Sequence, residues 1–208
     1  MGRMKELEIK SNPGPQLETR AVTGLALETR ADGAEKIVGY PIVFNSRSVL
    51  LWDFYEIVKP EAVTDTLVGS DVRALFSHDP ANVLGREKSG TLKIKADDHG
   101  VHMELTPPDN TLGRDVTESV RRGDIDGMSF GFFTTNDRWY EDGDDTIREL
   151  LEIDLQEVSI VTWPAYPATD VAVRSRDAWR DSVRSAKATG RHPHVLRLQL
   201  ELDTAATP

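Results

Sequence analysis

Cysteine is absent from all 208 residues. That excludes disulfides, thiolate metal sites and a cysteine nucleophile, and it suits a reducing compartment. Long apolar runs are absent too, so no stretch approaches the length that spans a bilayer. Residues 1–20 are polar and mixed in charge, unlike a secretory leader. No Gly-Lys phosphate loop and no dinucleotide glycine fingerprint occurs, so nucleotide chemistry has no support. A cationic surplus is also missing. With 25 Lys and Arg against 35 Asp and Glu, the formal net charge is −10. That sign opposes nonspecific nucleic-acid binding, which works by displacing counterions from phosphates.

What is present suits one soluble domain with tails, or two very small domains: 208 residues, 38% hydrophobic and 29% charged. Residues 1–20 hold Pro13, Gly14 and Pro15 and few large apolar side chains, and read as a flexible arm. The body is expected over 21–173. Residues 174–208 carry seven Lys or Arg against four Asp or Glu, a basic tail on an acidic body. Such asymmetry points to a segment with its own partner; the plainer reading is a solvated tail.

The body reads as many short strands with two inserted helices. Runs at 22–29 and 36–44 flank a turn at 31–34, and 91–96 and 101–105 flank another at 97–100. Further strands are expected at 55–58, 72–76, 128–135 and 146–161. Helices are expected at 60–67, with Pro60 in its first turn, and at 110–122, capped by Asn110 or Thr111 and ended by Gly123. The pattern argues for a mostly β, barrel-like α+β domain. In the tail, 174–190 reads as a polar helix and 195–202 as a strand with one apolar face.

Two segments carry candidate chemistry. Phe76-Ser77-His78-Asp79-Pro80 delivers a histidine at the end of an apolar run, and Val83-Leu84-Gly85-Arg86 follows it. Asp126-Gly127-Met128-Ser129-Phe130-Gly131-Phe132 sets a serine between glycines. A serine hydroxyl needs an adjacent base, and the unperturbed pKa of histidine suits that task near neutral pH. Alone, Ser129 reads as a structural strand residue and His78 as a core-edge residue. Asp79 adjoins His78 but points away from it in an extended chain.

Together, in this order, the two segments resemble the prohead (capsid maturation) proteases of tailed double-stranded DNA phages. Gly39-Tyr40-Pro41-Ile42-Val43-Phe44-Asn45 upstream and the segment from Leu155 to Ala165 downstream extend the resemblance over roughly 21–173. It implies a herpesvirus-protease-like fold, a β-barrel flanked by helices. It implies a serine endopeptidase that cleaves scaffold, or the scaffolding segment of the major capsid protein, and also cleaves itself. The enzyme would work without a cofactor, inside the procapsid in the host cytoplasm. Its partners would be capsid or scaffold protein and other copies of itself, with no nucleic acid and no membrane.

On that resemblance Ser129 is the nucleophile and His78 the general base, and phage relatives supply an acid as third member. Glu157 is the choice. In a regular strand Ile153, Leu155, Glu157 and Val161 share one face, and a carboxylate among apolar neighbours calls for a partner. Asp154 is the alternative, and a Glu157 reaching solvent or an arginine is the plain reading. His99 and His102 lack a third ligand at useful spacing, so no metal site is expected. Two other functions stay open: a catalytically inactive, scaffold-like assembly protein on the same fold, and a β-barrel binding module in which Ser129 and His78 are far apart.

Overall fold

The computed structural model describes residues 16–163, apart from 30, 32 and 70, together with 170–189. Ten strands and two helices follow in the order β1 (Glu18–Thr23), β2 (Ala26–Thr29), β3 (Glu35–Val43), β4 (Tyr55–Val58), β5 (Arg73–Phe76), β6 (Asp79–Arg86), β7 (Leu92–Ala96), β8 (Gly100–Leu105), α1 (Thr111–Arg122), β9 (Gly127–Asp142), β10 (Asp145–Val161) and α2 (Asp170–Thr189). A single 3₁₀ turn at Pro60–Val63 stands where a longer helix was expected.

The strands do not close into a barrel. They form a six-stranded sheet, ordered β1-β9-β10-β5-β6 with β4 also on β10, and a four-stranded sheet, ordered β2-β3-β8-β7. The expected run 22–29 is divided between the two. Gly24, at φ 113°, and Leu25 both donate to the Asp126 carbonyl, and this turns the chain from one sheet to the other. The two sheets face each other over a core that includes Ile37, Ile42, Met103, Leu105, Met128, Phe130, Phe132, Val158 and Ile160.

The long β9–β10 hairpin is the spine of the larger sheet. Its tip turns through Gly143, at φ 65°. Helix α1 is as expected: the Asn110 side chain accepts from Gly113 N–H at 2.8 Å, and Gly123 ends the helix at φ 75°. Helix α2 docks on the hairpin. Trp179 stacks on Trp139 with centroids 6.4 Å apart, Ser175 accepts from Trp139 Nε1 at 2.9 Å, and Arg180 pairs with Asp53 at 3.1 Å. The 195–202 strand expectation lies outside the described residues.

β1 begins inside the segment read as a polar arm because its charges are paired inward. Glu18, Arg20, Glu56 and Arg148 are all buried. Arg20 Nε meets Glu56 at 2.7 Å and Arg20 Nη2 meets Glu18 at 2.9 Å. Arg148 Nη1 meets Glu18 at 2.8 Å and Glu56 at 2.9 Å. Thr134 donates to Glu18 at 2.6 Å. Burial pushes the Glu18 carboxyl up, but the Arg148 hydrogen bond and the charges of Arg148 and Arg20 outweigh this and bring it from 4.5 to about 2.

Candidate active site

His78 sits in a two-residue hairpin. Phe76 on β5 pairs with Asp79 on β6, and Ser77 and His78 form the link at φ 55° and 59°. Two consecutive positive φ values define the type I′ turn that fits the twist of paired strands. Neither residue is glycine, so the left-handed conformation costs about 1–2 kcal/mol at each. Ties to β10 hold the turn: Ser77 N–H donates to the Ile160 carbonyl at 2.9 Å, and His78 N–H to Ser159 Oγ at 3.2 Å. Backbone strain over-determined by its surroundings is typical of working sites.

Glu157 reaches this turn because β10 is irregular. Leu155 pairs with Phe132 and Glu157 with Gly131, so β10 advances two residues against one on β9. This bulge breaks the alternation. Leu155 stays in the core, whereas Glu157 takes the opposite face beside Gly131. The expectation that Leu155 and Glu157 share a face fails for that reason. The Leu155 N–H at the bulge donates to Thr66 Oγ1 at 2.8 Å.

The result is a carboxylate–imidazole pair. Glu157 Oε1 lies 2.7 Å from His78 Nδ1, and the two side chains are 8% and 30% exposed. A carboxylate on Nδ1 selects the tautomer with the proton there and leaves Nε2, on the other edge of the ring, as the basic nitrogen. Asp79 does not compete: its carboxylate accepts from Ala81 N–H at 2.8 Å and Asn82 Nδ2 at 2.9 Å. Asp154 is exposed, and no hydrogen bond joins it to His78.

Gly131 makes the room. A Cβ built there would lie 3.1 Å from Glu157 Cδ and Cγ and closer still to Oε1. Ser129, two residues earlier on the same face of β9, stands directly opposite Ser159 on β10 and Ala21 on β1. Ser129 is 1% exposed, and its hydroxyl donates to the Arg20 carbonyl at 2.7 Å. No hydrogen bond joins it to His78. Ser159 was not foreseen. Its hydroxyl donates to Glu157 Oε2 at 2.5 Å and accepts from His78 N–H. The available signal was its place two residues after Glu157, on the same face of a strand. A cavity of about 180 Å³ beside β1 is lined by Ala21, Val43, Val58 and Phe130 among others, but by none of His78, Ser129 and Glu157. The carboxylate–imidazole cluster lies outside that cavity, whose own charged lining includes the Arg20–Glu56 ion pair.

The sequence model of the caudovirus prohead serine proteases matches residues 22–181. Among solved structures, that of the bacteriophage T4 capsid assembly protease is similar, with a TM-score of 0.51 and 14% identity over 73% of this chain and 100% of that one. At that identity the likeness is one of fold. No curated protein matches.

Proposed function

The chain belongs to the caudovirus prohead serine proteases, and from that premise we propose that it hydrolyses peptide bonds with Ser129 as nucleophile, His78 as general base and Glu157 as the acid that holds the base. The observation that carries this reading is the 2.7 Å contact between Glu157 Oε1 and His78 Nδ1. With Nδ1–H fixed on the carboxylate, Nε2 takes the Ser129 proton as Oγ attacks the scissile carbonyl. Glu157 stabilises the imidazolium. His78 then gives the proton to the leaving amine, and water hydrolyses the acyl-enzyme.

Attack requires the Ser129 hydroxyl to leave the Arg20 carbonyl and turn to the imidazole. Catalytic hydrogen bonds are often unmade in free enzymes and form with substrate. The proposed substrates are scaffold or the scaffolding segment of the capsid protein, inside the procapsid, and the chain itself. The tail from about 174 onward is proposed to carry the enzyme into the procapsid, docking through its apolar-faced run at 195–202.

One observation favours the rival reading of an inactive assembly protein: Ser129 is buried and bonded away from His78. Mutation separates the two. Ser129→Ala should abolish cleavage of scaffold and of the chain itself while the fold persists. Glu157→Gln should reduce cleavage strongly and Asp154→Asn hardly at all, as read on gels. Unchanged cleavage by folded Ser129→Ala would end the serine-protease reading.

A further inference from the structure

The mechanism above gives Ser159 no part, yet among the described residues its hydroxyl is the group hydrogen-bonded to both halves of the acid–base pair. It donates to Glu157 Oε2 at 2.5 Å and accepts from His78 N–H at 3.2 Å. Ser159 is 1% exposed, and its bond to Glu157 is buried. We infer that Ser159 is a positioning residue, which fixes the Glu157 carboxylate and the His78 turn relative to each other so that Oε1 meets Nδ1. The inference rests on the serine-protease reading.

The geometry calls for such a tie. Glu157 offers one oxygen to the imidazole. With its other oxygen unheld, the carboxylate could rotate about its terminal torsion, which has a broad minimum. Ser159 removes that freedom. His78, for its part, is not on a strand but at the second position of a left-handed turn. Its half-buried backbone N–H is anchored by the Ser159 hydroxyl, and losing that bond would free the turn for another geometry. One hydroxyl therefore restrains both ends of the 2.7 Å contact. Ser159 is not itself placed as a nucleophile. Its proton is committed to the carboxylate, and its contact with His78 is to the backbone and not to the ring.

The test uses the full chain with Ser159→Ala, Ser159→Cys and Ser159→Thr. Cysteine nearly preserves size but is a weak donor, and it guards against a loss that merely reflects a cavity. Ala and Cys should each lower kcat for a scaffold-derived peptide by about 10- to 100-fold, with KM within about twofold, the scale of one hydrogen bond to a charged group. Thr should recover most of the rate. The second readout is the imidazole ¹⁵N spectrum of His78 in a Ser129→Ala background. A single Nδ1–H tautomer is expected with Ser159 and a tautomer mixture with Ala. Wild-type kcat in either folded Ala or Cys variant overturns the proposal. So does an unchanged Nδ1–H signal beside a lowered rate, since Ser159 would then serve stability alone. Continued cleavage by Ser129→Ala would refute the protease reading, while the spectra would still decide the positioning role.

Discussion

Gly131→Ala should slow the enzyme by about 10- to 100-fold while sparing its fold. A Cβ at Gly131 would press on Glu157, 3.1 Å from Cδ and Cγ and nearer to Oε1. Ordinary separation requires the oxygen to retreat by roughly 1 Å. It now sits 2.7 Å from His78 Nδ1, and its partner oxygen is held 2.5 Å from Ser159, so the retreat breaks the bond to the ring. A hydrogen bond to a charged group contributes about 1.5–3 kcal/mol. Lost from the transition state, that is about a 10- to 100-fold fall in kcat. Stability should fall by at most about the same 1.5–3 kcal/mol, because the bond is also present in the folded ground state, and the smaller entropy of the unfolded alanine chain offsets about 0.4–1 kcal/mol of that. The assay is steady-state hydrolysis of a fluorogenic peptide with a scaffold cleavage sequence, beside thermal melts. A folded Gly131→Ala with wild-type kcat would refute the reasoning. A raised KM at unchanged kcat would mean that Gly131 admits substrate backbone and does not make space for Glu157.

Two further predictions concern parts remote from the chemistry. Because the Glu18 carboxyl is depressed from 4.5 to about 2, its contribution to stability is fully present above pH 4.5 and is lost as pH falls toward 2. A shift of that size corresponds to about 3 kcal/mol, so urea unfolding should show Glu18→Gln less stable by roughly that amount at pH 7, with the gap closing between pH 4.5 and 2; a gap constant with pH would contradict the assignment. Truncation after Thr189 keeps the Trp179 and Arg180 contacts, so the shortened chain should retain peptidase activity yet be missing from procapsids in gels and mass spectra, whereas equal packaging would sink the targeting role.

The sequence made the local elements legible where their physics is local. The 97–100 turn, the Asn110 cap and the Gly123 stop each rest on a few adjacent residues, and each is found. The arrangement of the candidate site was legible only in part. His78 and Glu157 do meet, but the parity argument behind Glu157 was wrong, because it assumed a regular strand. The bulge that turns Glu157 away from Leu155 leaves no residue signature. The left-handed turn under His78 was equally hidden, since Ser and His are not the residues such turns favour. Charges conceal burial in the same way. Glu18 and Arg20 read as a solvated arm because their partners, Glu56 and Arg148, lie far along the chain. Ser159 stayed out of view between Val158 and Ile160: its spacing from Glu157 hinted at one partner, but the other, His78, lies far along the chain.

The central claim, that Ser129 is activated by a histidine held on Glu157, is tested most directly by a fluorophosphonate probe, with the adduct located by peptide mass spectrometry. The account predicts one adduct, on Ser129, and far weaker labelling of His78→Ala under the same conditions. An adduct on Ser159, or equal labelling of wild type and His78→Ala, would contradict it.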